Sequence, residues 1–185
     1  MKKSLLAVLL AVALVAPVFA ADKGSMELDI KIGAALMSKV SIDNWDGDAD
    51  TAFLANLDFF YYVMPELAIG AGAEHIFDTK VKDTTGKVGF TNLYAQAKYV
   101  FDLNDDLFNN IYPLIQIGYG ITGSDDFKVD SNGLYWGIGA GTTIKENFVF
   151  ELIYSVDNSK FKSYPSAVDA KYSTLKVKVG YKFAF

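Results

Sequence analysis

Few side chains in this sequence could do acid–base or metal chemistry, so each can be weighed directly. The single histidine, His75, stands three residues before Asp78 in the run Glu74-His75-Ile76-Phe77-Asp78. A His–carboxylate pair can serve as a general base, but only if a nucleophile converges on it. No serine motif accompanies this one, and Phe77 beside it favours an interfacial side chain, so no catalytic residue is assigned. Asp43, Asp46, Asp48 and Asp50, with Asn44, crowd around Gly47. Carboxylate oxygens at this density suit Ca²⁺, yet the run lacks the glutamate that closes an EF-hand loop. It reads as a solvated acidic turn and only a weak metal candidate. Cysteine is absent, which excludes disulfides, thiolate metal sites and an acylated N-terminal cysteine. Nothing in the sequence calls for a cofactor.

The remaining charges fall in a pattern. Glu27, Asp29, Lys31, Asp58, Glu74, Lys98, Glu151, Lys176, Lys178 and Lys182 alternate with apolar residues in segments of strand period. Eight such segments are expected, over 26–37, 51–62, 67–77, 88–101, 111–122, 133–144, 148–156 and 171–185. In the first, Met26, Leu28, Ile30, Ile32, Ala34 and Leu36 oppose Glu27, Asp29, Lys31 and Gly33. In the sixth, Leu134, Trp136, Ile138 and Ala140 oppose Tyr135, Gly137, Gly139 and Gly141. The last alternates most cleanly, with Leu175, Val177, Val179, Tyr181, Phe183 and Phe185 on one face and three of the lysines on the other. Each length suits a tilted membrane strand. The connections alternate between short links (63–66, 102–110, 145–147) and polar loops of 10 to 14 residues (38–50, 78–87, 123–132, 157–170).

Residues 1–20 read as a cleaved Sec export signal: Lys2 and Lys3, an apolar run from Leu5 to Ala16, then Val18-Phe19-Ala20. The run is too short for a permanent membrane helix and stops at Pro17. Residues 21–185 are left as one barrel domain. The net charge of −5 becomes −7 when Lys2 and Lys3 depart. With no arginine and no basic block, nucleic acid is an unsuitable partner.

A soluble eight-stranded barrel would alternate too, with its oily face inward. Composition favours the opposite sense. On the oily faces only His75 titrates near neutrality, whereas five acids and five bases share the other face and could neutralise one another in a narrow lumen. Glycines on that face would relieve crowding inside eight strands and gain nothing facing water. Phe59, Tyr61, Tyr99, Phe101, Phe148, Phe183 and Phe185 gather at strand ends as an interfacial girdle. The expected fold is therefore all-β, an eight-stranded antiparallel transmembrane up-and-down β-barrel.

An export signal, eight amphipathic segments and a final strand closing on Tyr181-x-Phe183-x-Phe185 resemble the small outer-membrane proteins of the OmpA and OmpX barrel type. The resemblance implies a bacterial outer-membrane location with both termini periplasmic. It implies outer-membrane lipid and lipopolysaccharide as surroundings, and a C-terminal strand through Tyr181, Phe183 and Phe185 that the barrel-assembly machinery reads. Some barrels of this size modify lipid A through a histidine with Ser, Asp or Glu, a role for which His75 is poorly provided. The chain stops at Phe185 with no peptidoglycan-binding domain of the OmpA plan. The expectation is a non-enzymatic, monomeric barrel with a largely filled lumen, serving envelope integrity or presenting its loops to outside partners. The alternative is a narrow porin-like channel for small or hydrophobic solutes.

Overall fold

The computed structural model describes residues 23–185, apart from 43–44, 81–86, 104, 106, 124–128 and 163–166. Ten strands follow one another: β1 Met26–Ile42, β2 Trp45–Ala49, β3 Ala52–Tyr62, β4 Leu67–Lys80, β5 Lys87–Tyr99, β6 Phe101–Asp102, β7 Phe108–Gly123, β8 Val129–Ile144, β9 Phe148–Lys162 and β10 Ala167–Ala184. Each long strand pairs antiparallel with the next, and β10 returns to β1, closing an eight-strand barrel to which β2 and β6 are short additions. Closure leaves no long sheet edge unpaired, the condition for a β-structure to cross lipid. Main-chain bonds between Met26 and Phe185 run in both directions, at 2.8 and 2.9 Å, and fasten the two ends together.

Strand period decides which side chain faces where. In β3 burial alternates without a break, with Leu54, Asn56, Asp58, Phe60 and Tyr62 inside and Phe53, Leu57, Phe59 and Tyr61 outside. The outside is almost wholly oily: Ile32 is 65% exposed and Phe53 75%. Such a belt is stable only against hydrocarbon. At the end carrying the termini, exposed Phe59, Tyr61, Tyr99, Phe101, Phe148, Tyr181 and Phe185 form an aromatic rim. Phe148 and Tyr181 are register partners with ring centroids 5.6 Å apart.

The four connections expected as long loops are shorter, because the strands run on past the oily belt. β1 reaches Ile42 and pairs with β2 as a hairpin, so most of 38–50 is strand. β9 and β10 stay paired from Lys162–Ala167 inward, across most of 157–170. Alternation of oily and polar residues marks only the part of a strand with one greasy side; above it, hydrogen bonding continues while both faces turn polar. Register shifts lie at this level, between Leu36 and Lys39 and between Ile76 and Thr79. At the first, Met37 takes a left-handed φ of 48° and inserts one residue, so inward positions run Ala35 then Ser38.

At the termini end the turns are tight. Lys145 and Glu146 both have positive φ, 46° and 68°, in the three-residue turn that sets Ile144 opposite Phe148. The amide of Glu146 donates to Asn109 Oδ1 at 2.6 Å, which helps hold a conformation that neither residue favours.

Candidate functional site

The barrel interior is built in tiers, each strand contributing every second residue. Nearest the termini, Glu27 of β1 accepts from Lys98 of β5 and from the Tyr62 hydroxyl at 2.8 Å. The Lys98 ammonium also sits 4.0 Å from the Phe60 ring centre and 4.8 Å from that of Tyr112, a cation–π setting that offsets part of its desolvation. Lys182 faces the same tier, half-buried. An apolar cluster that includes Phe60, Tyr62, Val100, Tyr112, Leu114, Val149 and Ile153 fills the space around it.

One step further in, Lys31 meets three carboxylates: Asp58 Oδ2 at 2.7 Å, Glu151 Oε1 at 2.7 Å and Asp29 Oδ2 at 3.3 Å. All four side chains are sealed from solvent. Tyr112 donates to Glu151 at 3.1 Å and Tyr94 to Asp58 at 2.9 Å. Above them Glu74 takes Lys176 on one oxygen and Lys178 on the other, the latter at 2.5 Å. A chain of amides and phenols crosses the lumen at the same height: Tyr135 donates to Gln116 Oε1 at 2.6 Å, and Gln116 Nε2 to Gln96 at 3.1 Å. Buried charge is tolerable only when paired and hydrogen-bonded, and these groups largely are.

Towards the loop end the interior turns apolar again. Ala35, Val40, Ala52, Leu54, Ile76, Val88, Phe90 and Tyr172 cluster there, with Phe90 and Tyr172 stacked at 4.5 Å. The Tyr172 hydroxyl donates to Ser38 at 2.8 Å. The sequence suggested an inner face of charges and glycines; the structure adds an oily and aromatic cluster at each end. Those residues escaped a two-faced reading because apolar side chains occur on both faces of the same strands there.

Of the ten predicted interior charges, Glu27, Asp29, Lys31, Asp58, Glu74, Lys98, Glu151, Lys176 and Lys178 are buried inside, and Lys182 is half-buried. Asp157 joins them, 1% exposed, although the sequence reading left it in a loop. The signal was there: Glu151, Ile153, Ser155, Asp157 and Ser159 continue one face of β9. Tyr181, Phe183 and Phe185 share the outward phase, but Phe183 is largely covered, with the Tyr181 ring 4.8 Å away. His75 points outward, shares a hydrogen bond with Thr91 Oγ1 at 2.9 Å and meets Phe77 edge-on at 4.8 Å. Asp46 and Asp48 are exposed on β2 and Asp50 follows it; Asp43 lies outside the described residues. Among the described residues no three His, Cys, Asp or Glu side chains gather as metal ligands.

The model of the outer membrane protein beta-barrel domain family matches residues 5–183. The chain belongs to this family. Solved outer-membrane barrels share its fold. The attachment invasion locus protein Ail of Yersinia pestis is 19% identical, with a TM-score of 0.52 over 87% of this chain and 99% of that one. OprG of Pseudomonas aeruginosa is 12% identical, with a TM-score of 0.54 over 90% and 98%. Neisserial surface protein A is 14% identical, with a TM-score of 0.51 over 84% and 98%. No curated protein matches. Membership in an outer-membrane barrel family places the oily belt against the hydrocarbon of a bacterial outer membrane. On that belt a groove of about 920 Å³ runs over Ala71, Ala95 and Ala97, between Phe59 and Tyr61 on one side and Trp136 and Ile138 on the other.

Proposed function

We propose that this protein is a non-enzymatic outer-membrane barrel whose lumen is filled, and that it serves envelope integrity or displays its loop-end hairpins to outside partners. The observation that carries this reading is the interior itself. Charged pairs centred on Lys31 and Glu74 span the middle, and apolar clusters occupy both ends. Eight strands leave an interior just wide enough for side chains. Passage of a solute would have to break several buried ion pairs at once, each costly to separate.

In the same reading the chain is exported by the Sec route on residues 1–20, and the aromatic rim marks the periplasmic interface, so both termini face the periplasm. Its partners are outer-membrane lipid and lipopolysaccharide, with the barrel-assembly machinery engaged through Tyr181, Phe183 and Phe185, and it works as a monomer. Planar-bilayer recording tests the filled lumen. Purified barrel at high protein-to-lipid ratio should give no stable conductance steps; reproducible ohmic steps would favour the narrow channel instead.

A further inference from the structure

Among the described residues the interior holds six carboxyl groups, Glu27, Asp29, Asp58, Glu74, Glu151 and Asp157, against five ammonium groups, Lys31, Lys98, Lys176, Lys178 and Lys182. Asp157 is the odd one. It stands on β9 beyond the oily belt, is 1% exposed, and neither of its oxygens accepts a hydrogen bond. An ionised carboxylate so placed would lack both water and a counter-charge, a state that buried groups avoid by giving up the charge.

The donors around Asp157 are committed elsewhere. Its register partners are Tyr135 on β8 and Tyr172 on β10. The Tyr135 hydroxyl donates to Gln116 Oε1 at 2.6 Å and the Tyr172 hydroxyl to Ser38 at 2.8 Å. Lys176 and Lys178, also on β10, are both engaged by Glu74 of β4, and Glu74 repels a second anion beside it. Ser155, the preceding inward residue of β9, does not reach Asp157, and its Oγ is likewise unpartnered. β7 presents Gly120.

The remaining neighbour is Asn92 of β5. Its Oδ1 and Asp157 Oδ1 border one space: a methyl group built on Gly120 would lie 3.0 Å from the first and 2.9 Å from the second. The Asn92 nitrogen is turned to Glu74 Oε1 at 3.5 Å, and its oxygen has no partner. Turning the amide over would give an ionised Asp157 a donor only by setting the Asn92 carbonyl against Glu74. A proton on Asp157 serves all three groups, since its O–H donates to Asn92 Oδ1 while the Asn92 amide donates to Glu74.

We infer that Asp157 is a proton-binding site: in the folded barrel it is a neutral carboxylic acid donating to Asn92, and its proton leaves when the loop-end half opens. Five carboxylates then balance five ammonium groups.

Unfolding should therefore release one proton wherever an aspartate of the unfolded chain is ionised, so stability falls as pH rises. The test uses barrel refolded in detergent with His75→Gln, so that no imidazole contributes. Its urea unfolding constant should rise about tenfold per pH unit between about pH 5.5 and about pH 7, for as long as Asp157 keeps its proton. Adding Asp157→Asn, whose amide can donate to Asn92 in the same way, should abolish this slope and raise the midpoint at the upper pH above that of the parent. Infrared difference spectra of the folded proteins at about pH 6, parent minus variant, should contain the carbonyl band of a protonated carboxyl that shifts in D₂O. A flat parent profile, the same slope in the Asp157→Asn protein, or no such band would overturn the proposal. The parent profile can be read even if the variant fails to refold.

Discussion

Lys31→Met should be among the most damaging single changes in the barrel interior. Methionine keeps much of the length and apolar stem of lysine while removing its charge, leaving Asp29, Asp58 and Glu151 around a neutral thioether. The lysine nitrogen is within 2.7 Å of two of these carboxylates and 3.3 Å of the third, all shielded from solvent. Removing one member of a buried ion pair costs about 3–5 kcal/mol, and here one ammonium serves three acids, so the upper part of that range is expected. With a urea slope of about 1–3 kcal/mol per molar, the midpoint should fall by at least about 1 M. The assay is urea unfolding in detergent micelles, read by the mobility difference between folded and boiled barrel on a gel. Adding Glu151→Gln to the same chain should recover part of the loss, because one orphaned charge goes with it. A loss below about 1 kcal/mol for Lys31→Met would show that water or mobile ions reach these carboxylates, and would refute a sealed network.

Other perturbations bear on separate parts of the account. Gly141→Ala puts a methyl group 2.5 Å from the buried Tyr112 ring; it should lower stability by about 1–3 kcal/mol in the same urea assay. Replacing Lys145-Glu146 by Asn-Gly, residues that adopt a positive φ with little strain, should raise it by about 0.5–1 kcal/mol, since both positions have positive φ. Phe185→Ala should lower the amount of barrel in the outer membrane of cells while leaving spontaneous folding into lipid vesicles near wild type, because main-chain bonds to Met26 persist. Asp105 accepts the amides of Leu107 and Phe108, both at 2.9 Å, which hold its carboxyl below the usual range. An NMR titration should place its midpoint below that of a model aspartate. A depressed folded-state pKa means that its contribution to turn stability is present above the ordinary aspartate value and fades as pH falls through the lowered one.

The membrane-facing half of this fold is written openly in the sequence, since a strand with one oily side repeats every second residue. Ile30, Ile32, Leu57, Val179 and Tyr181 could be assigned outward from spacing alone, and Lys31, Asp58 and Lys178 inward by the same rule. Pairing was not legible. That Lys31 serves Asp58 and Glu151, and Glu74 both Lys176 and Lys178, depends on strand stagger and tilt, which bring together residues as far apart in the chain as Lys31 and Glu151. The inward aromatic and aliphatic clusters were hidden because Phe60, Ile76 or Ile153 looks the same to a periodicity count whichever face it occupies. Asp157 was hidden for the converse reason: beyond the oily belt a strand loses its greasy face, so hydrogen-bonded backbone reads as loop.

The sealed interior can be probed directly through Ser155, since the chain has no cysteine of its own. Ser155→Cys is nearly isosteric and places a lone thiol at a fully buried position inside the barrel, and Asp48→Cys on the exposed face of β2 serves as the control. A small charged methanethiosulfonate reagent should label the control within minutes and leave the interior thiol unmodified until the barrel is boiled. Labelling of both at comparable rates in the folded state would mean that water and ions enter the lumen, and would contradict the filled-barrel account.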